Sequence, residues 1–145
     1  MPSLFVLCGA PGSGKTTWAK KLSADIGAKL YCVDDFNSVH RGKPHDETTV
    51  LLHVSIQEDL RNGKDVVCDG TYITEFVRLR LLKSITDIPC NKTIVVMDTP
   101  LEECLRRNAE RTGRARVQDS VVKTFAKMYQ PPTLDEGWDE IITIE

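Results

Sequence analysis

Apolar residues gather in five short runs, and the intervals between the runs carry apolar positions at helical spacing. The runs predict strands over Ser3–Cys8, Lys29–Val33, Asp65–Cys68, Asn91–Met97 and Glu140–Ile144. In one interval Leu52, Ile56 and Leu60 recur every fourth residue, which places them on one face of a helix. Apolar strands that alternate with helices are typical of α/β proteins, in which a parallel sheet is covered by helices on both faces.

Right-handed crossovers bring the carboxyl ends of parallel strands to one edge of the sheet, where open α/β sheets bind their ligands. Gly9, Asp34, Asp69 and Asp98 each follow a predicted strand and are expected at that edge. We expect Asp98 mainly to end its strand and support the next helix. That helix has a predicted start, in which Thr99 is the cap, Pro100 suits the first turn and Glu102 completes a capping box.

Composition narrows the class of protein. The 145 residues predict a single domain spanning residues 1–145. A formal net charge of −2 argues against wholesale electrostatic capture of nucleic acid. Five cysteines without CxxC spacing favour a reduced, cytoplasmic compartment. The apolar runs are far shorter than the ~20 residues of a membrane-spanning helix, so no membrane association is expected.

The strongest motif follows the first strand directly. Residues 9–16 read GAPGSGKT, and the helical pattern that follows extends to about Ile26. Such a glycine-rich loop between strand and helix cradles a polyphosphate in backbone N–H groups, while Lys15 reaches the β- and γ-phosphates and the Thr16 hydroxyl holds Mg²⁺. The predicted nucleotide-binding residues are Gly9, Ala10, Pro11, Gly12, Ser13, Gly14, Lys15, Thr16 and Thr17.

Aspartates follow the second and third predicted strands. Neighbouring strand residues point in opposite directions, so one of Asp34 and Asp35 can face the phosphates and accept a proton from an attacking hydroxyl. The alternative for this pair is a structural role in a turn or helix cap. Asp69 is the candidate Walker-B-like carboxylate. It is expected to orient Mg²⁺, the water molecules bound to the metal, or the acceptor.

Two basic segments are candidates for phosphate contacts. Five arginines, with Gly113 among them, predict a mobile lid near residues 106–116; they are Arg106, Arg107, Arg111, Arg114 and Arg116. On one helix, Arg107 and Arg111 would share a face one turn apart and clamp the transferred group, although a solvated basic face is the alternative. Arg41, in the polar loop that His40 and His45 flank, could hold an acceptor phosphate; the histidines themselves, including His53, are expected at the surface.

Together these residues resemble the phage-type polynucleotide kinase family of P-loop phosphotransferases. Gly9 to Trp18 match the family's G-x-P-G-S-G-K-[ST]-T-W loop, and an Asp-Asp-aromatic sequence follows the second strand as in the family. The resemblance implies a three-layer P-loop kinase fold with sheet order 2-3-1-4-5. It also implies that Asp34 is the general base, that Asp69 organises the acceptor side with Asp35 nearby, and that Arg107 and Arg111 contact the donor phosphates.

The resemblance implies a kinase that transfers the γ-phosphate of ATP, or GTP, with Mg²⁺ to the 5′-hydroxyl of a polynucleotide. One departure concerns the acceptor, since Asn37 stands where the family has an arginine that grips the acceptor phosphate. A nucleoside, a hydroxymethylated DNA base or a small alcohol therefore remains an alternative acceptor. A nucleoside monophosphate acceptor is less favoured, because no dedicated monophosphate-binding insertion is recognisable. The alternative from another functional class is a regulatory NTPase, which binds the nucleotide but does not phosphorylate an alcohol.

Overall fold

The computed structural model describes residues 1–145, with the side chain of Arg114 excepted. The strands are β1 (Ser3–Cys8), β2 (Lys29–Cys32), β3 (Val66–Asp69), β4 (Asn91–Met97) and β5 (Glu140–Ile144). The α-helices are α1 (Lys15–Ile26), α2 (Val33–Val39), α3 (His45–Arg61), α4 (Glu75–Ser84), α5 (Leu101–Glu110) and α6 (Asp119–Met128). Short 3₁₀ turns occupy Gly113–Ala115 and Leu134–Glu136.

The five strands form one parallel sheet in the order β2-β3-β1-β4-β5, which confirms the predicted fold class and strand order. Side chains alternate between its two faces, as the period of a strand requires. Leu4 and Val6 pack in the larger core with α3 and α4, whereas Leu7 packs on the other face with Ala19 of α1. Among the described residues, no helix combines the length and apolar character that crossing a membrane demands.

The second strand is shorter than its pattern predicts. β2 ends at Cys32, and α2 begins at Val33. Asp34 and Asp35 therefore lie in the first turn of a helix, and the argument from alternating strand positions is wrong for them. Acidic residues are favourable in this position because the amino end of a helix carries partial positive charge.

The predicted capping box before α5 is also wrong. Pro100 is the N-cap residue of α5, without a side-chain capping bond. The Thr99 hydroxyl instead donates to the carbonyl oxygen of Ser13 at 2.8 Å. Thr99, predicted to be a local cap, thus ties the start of α5 to the glycine-rich loop, a contact across 86 positions of sequence.

Candidate active site

The glycine-rich loop of residues 9–16 leads from β1 into α1. Gly12 and Gly14 have φ angles of +85° and +91°, which side-chain-bearing residues rarely adopt. Gly14 is the N-cap of α1 and no side chain caps this end. The first backbone N–H groups of α1 are therefore available to an anion, and the helix dipole favours negative charge there. Lys15, the first residue of α1, is largely buried.

Close packing around the loop leaves no room for side chains at two glycines. A Cβ atom on Gly12 would lie 2.4 Å from the carbonyl oxygen of Cys104 in α5, and one on Gly9 would lie 2.5 Å from Ser13 Oγ. The backbone N–H of Gly9 donates to the Thr71 carbonyl at 3.1 Å. The loop is thus held between α5 on one side and the segment after β3 on the other.

Thr16 and Asp69 meet directly beneath the loop. The Thr16 hydroxyl donates to Asp69 Oδ2 at 2.7 Å, and Asp69 is only 3% exposed. Its other oxygen, Oδ1, is buried and accepts no hydrogen bond from any residue that the structure describes. A hydroxyl beside a carboxylate with an unused oxygen supplies the hard oxygen ligands that Mg²⁺ prefers. The residues present fit a magnesium site.

Cys32, for which the sequence predicted no role at the site, also contacts this carboxylate. Cys32 Sγ donates to Asp69 Oδ2 at 3.3 Å, because parallel pairing places Cys32 beside Asp69 in register. Burial, followed by the negative charge of Asp69, raises the pKa of Cys32 to about 12. The thiol therefore stays protonated at neutral pH and acts as a donor.

The two aspartates of α2 lie at the same edge of the sheet, just beyond Cys32. Both are exposed to solvent. Asp35 is close enough to Cys32 for its charge to raise the thiol's pKa, and its backbone N–H contacts the thiol. Both carboxylates therefore lie in the turn where a general base is expected.

Arg107 lies over the glycine-rich loop. Its Nη1 donates to the Gly12 carbonyl at 3.4 Å, and a Cβ on Gly14 would lie 3.0 Å from the same nitrogen. Its Nε donates to Glu103 Oε1 at 3.0 Å. The arginine thus already stands beside the backbone expected to hold phosphates.

The expectation that Arg107 and Arg111 share one helix face is wrong. α5 ends at Glu110, and Arg111 is extended, with φ −79° and ψ 157°. Both arginines nevertheless line one groove of about 590 Å³, beside Thr17 and Trp18 of α1. The groove adjoins the loop and is large enough for part of a nucleoside.

The neighbouring Arg106 is engaged elsewhere. Its guanidinium pairs with Glu103 at 2.5 Å and with Glu110 at 2.8 Å, both at the surface. Hydrogen bonds from Arg106 and Arg107 lower the pKa of Glu103 to about 2. Arg116 is exposed, and the predicted role of Arg114 falls on a side chain outside the described residues.

Asn108 fixes the segment that follows α5. It is completely buried, its Nδ2 donates to the Val117 carbonyl at 2.6 Å, and its Oδ1 accepts from the Val117 N–H at 3.1 Å. This pair of bonds closes the chain between residues 108 and 117 into a loop. The loop carries Arg111 back towards the groove.

A second cleft, of about 390 Å³, opens between α3 and α4 near the end of β3. Its lining residues include Val33, Asn37, Thr49, Leu52, His53, Thr71, Tyr72, Phe76 and Arg80. His53 is 8% exposed, so the expectation that it lies at the surface is wrong. Burial, aided by the charge of Arg80, lowers its pKa to about 4 and keeps it neutral. Arg41 lies exposed in the turn after α2 and does not line this cleft.

The sequence matches known proteins over most of its length. A family model described as an AAA domain (AAA_33) matches residues 4–132. The chain belongs to this family. The sheet and the solved structures similar to it show a P-loop kinase-like fold. Adenylate kinase 9 of Mus musculus is 31% identical over 127 aligned positions, which cover 74% of this chain but 6% of that protein.

Solved structures share the fold of this family member. A chain of the Pnkp1/Rnl/Hen1 RNA repair complex matches with a TM-score of 0.78 and 26% identity, over 88% of this chain and 43% of that one. A sugar kinase from Janibacter sp. HTCC2649 matches with a TM-score of 0.74 and 20% identity, over 99% of this chain and 85% of that one. The family and the fold are thus shown, whereas these proteins differ in what they phosphorylate or assemble with.

Proposed function

We propose that this protein is a kinase that transfers the γ-phosphate of ATP to an alcohol acceptor. The observation that carries the proposal is the Thr16 hydroxyl bonded to the buried Asp69 carboxylate beneath an uncapped, glycine-lined helix start. A donor polyphosphate needs backbone N–H groups, a lysine and a metal-holding hydroxyl, and all three occur within residues 9–16.

In this proposal each residue of the donor site has one task. The loop amides and Lys15 hold the phosphates, and Arg107 with Arg111 approaches them from the groove. Thr16 would hold Mg²⁺, with Asp69 acting through water. When bound, the metal would offset the negative charge that develops on the phosphate oxygens during transfer. Among the residues that the structure describes, none is assigned to adenine recognition, so GTP is a second candidate donor.

Asp34 is the proposed general base. It would accept the proton of the acceptor hydroxyl as that oxygen attacks the γ-phosphorus and the bond to the β,γ-bridging oxygen breaks. Its place in the first turn of α2, at the edge that carries the loop, supports this assignment.

The favoured acceptor is the 5′-hydroxyl end of a polynucleotide. The Asp-Asp-aromatic sequence and the arginines after β4 support it, as does the 26% identity to a chain of an RNA repair complex. The polynucleotide kinase family has a phosphate-binding arginine at the position of Asn37. We propose that Arg41, which is exposed in the turn after α2, makes the contact to an acceptor phosphate instead.

An uncharged small alcohol, such as a nucleoside or sugar, is the second candidate, and the α3–α4 cleft favours it. Of the described residues that line this cleft, Arg80 is the one with a permanent positive charge, and it pairs with Asp46 at 3.2 Å. His53 there is neutral. Such a lining offers hydrogen bonds and apolar contact but little attraction for a phosphate.

Transfer from γ-labelled ATP to a panel of acceptors tests these proposals. The panel holds 5′-hydroxyl DNA and RNA oligomers, nucleosides, simple sugars and DNA with hydroxymethylated bases. Label at oligomer ends supports the polynucleotide acceptor, and label only in small alcohols supports the second candidate. Release of free phosphate with no labelled acceptor would instead identify a regulatory NTPase.

Lys15→Ala is the control for this assay. It should abolish transfer because the β- and γ-phosphates lose their cation, while circular dichroism remains that of the wild type. Transfer at a near-normal rate in this variant would show that residues 9–16 are not the donor site.

A further inference from the structure

Tyr72 adopts a backbone conformation that bulky residues avoid. Its φ is +41°, and among the described residues it is the one non-glycine residue with positive φ. Such a conformation is costly, and it persists only where surrounding contacts impose it. A strained residue next to a candidate site is therefore informative about that site.

The side chain of Tyr72 is locked in place. The residue is 4% exposed, and its hydroxyl lies 3.1 Å from Cys68 Sγ. Its ring occupies the space over Gly70, where a Cβ would lie 2.7 Å from a ring carbon. The ring thus fixes the tight turn after β3, whereas the Tyr72 carbonyl is bound by other groups.

A buried ion pair holds that carbonyl together with the thiol of Cys8, whose Sγ donates to the same oxygen at 3.2 Å. Arg78 is fully buried, and its Nη1 donates to the Tyr72 oxygen at 2.9 Å. Its Nε and Nη2 donate to the two carboxylate oxygens of Glu136 at 2.8 and 3.0 Å. Trp138 Nε1 donates to Glu136 at 3.0 Å, which fixes the carboxylate in turn. We call Arg78, Glu136 and Trp138 the brace.

The turn held by the brace connects the two halves of the site. The carbonyl of Thr71 accepts the N–H of Gly9, the first residue of the phosphate loop. Thr71 and Tyr72 also line the α3–α4 cleft. A change in the 71–72 backbone would therefore move a loop amide and the cleft wall together.

We propose that Arg78 and Glu136 are positioning residues, which hold the backbone of Thr71 and the strained Tyr72 and thereby set the phosphate loop relative to the acceptor cleft. The inference rests on the proposed kinase function. A buried ion pair can often be replaced by uncharged residues of similar volume with little loss of stability. Stability alone therefore does not explain a guanidinium that binds Glu136 through two nitrogens and the carbonyl of the strained Tyr72 through the third.

The decisive variant combines Arg78→Met with Glu136→Gln. It removes both buried charges together, keeps an acceptor for Trp138 and removes the guanidinium that binds the Tyr72 carbonyl. The matched control combines Arg61→Gln with Asp87→Asn, a surface pair remote from the loop. We expect similar thermal midpoints for both double variants. We expect kcat/KM for the acceptor to fall by roughly 10–100-fold in the brace variant alone, since small misplacements of reacting groups cost about this much.

Amide hydrogen exchange at Gly9 gives a readout that needs no activity. With the brace removed, exchange of this N–H should accelerate at least ~10-fold while the global unfolding midpoint is unchanged. If the brace variant does not fold, Arg78→Lys replaces it, since that variant keeps the charge opposite Glu136 and loses the forked contact. Wild-type exchange at Gly9 and wild-type kcat/KM in a folded variant would overturn the inference.

The two proposals can fail separately. If the wild-type protein phosphorylates no acceptor in the panel, the kinase proposal fails, and Gly9 exchange still decides whether the brace holds the turn. If the wild type is active and the brace variant matches it in both readouts, the kinase proposal stands and the positioning role is wrong.

Discussion

At the scale of the residue, adjacent positions in α2 carry carboxylates with different surroundings. Asp35 influences the Cys32 thiol, which itself contacts Asp69, whereas Asp34 is one position earlier in the same turn. Successive residues of a helix are rotated by about 100° around its axis, so the two carboxylates cannot serve the same reacting oxygen equally well. Their chemical identity and adjacency make each the natural control for the other.

We predict that Asp34→Asn lowers kcat by roughly 10²–10⁴-fold and leaves ATP affinity largely intact, because a positioned base contributes this much. Asp35→Asn is the control and should affect kcat far less. The measurements are steady-state transfer rates and nucleotide binding by calorimetry. If the losses are reversed between the two variants, Asp35 is the base; if neither variant loses activity, the base lies outside α2.

At the scale of the element, α5 directs two successive arginines to different tasks. Arg106 pairs with Glu103 and Glu110 on the exposed side, whereas Arg107 reaches back to the loop at Gly12. Asn108 then anchors the chain that returns Arg111 to the groove. The lid near residues 106–116 is thus proposed to act through one helix end and one tied loop, with Arg107 over the phosphates.

We predict that Arg107→Gln slows phosphate transfer by roughly 10²-fold, as removal of one preorganised charge donor typically does. Arg106→Gln removes the same charge one residue away and should leave the rate near the wild-type value. Single-turnover assays with labelled ATP compare the two. Equal losses in both variants would show that the effect comes from general positive charge rather than from the contact over the loop.

At the scale of the whole molecule, burial of a histidine links stability to pH. The folded protein holds His53 with a pKa of about 4, whereas an exposed histidine in the unfolded chain takes up a proton near pH 6.5. Between these values the unfolded state binds more protons than the folded state. Stability therefore decreases as the pH falls through this window and no longer changes on this account below it.

We predict that His53→Gln reduces this acid sensitivity, because glutamine does not titrate. The thermal midpoint measured at pH 7 and at pH 5 should drop less in the variant than in the wild type, and His45→Gln, at an exposed position of the same helix, is the control. Identical drops in wild type and His53→Gln would mean that His53 takes up a proton at the same pH in the folded and the unfolded protein.

Local physics accounts for what the sequence determined alone. The period of each apolar run specifies a strand or a helix, and strands alternating with helices allow essentially one class of sheet. The loop at residues 9–16 was also predictable, because its glycines, lysine and threonine act through the backbone of a single strand–loop–helix unit. The fold class and the position of the loop followed from such information, whereas the strand order came from the resemblance to a known family.

Contacts between distant residues decided the rest. The bond from Cys32 to Asp69 joins positions 37 apart, and the brace from Arg78 to Glu136 joins positions 58 apart. Neither pair has a local pattern, since each forms only when packing brings two elements together. The same holds for His53, whose spacing is ordinary but whose burial depends on α4. Periodicity reports which face of an element is apolar, and only the tertiary structure determines which polar groups are enclosed with it.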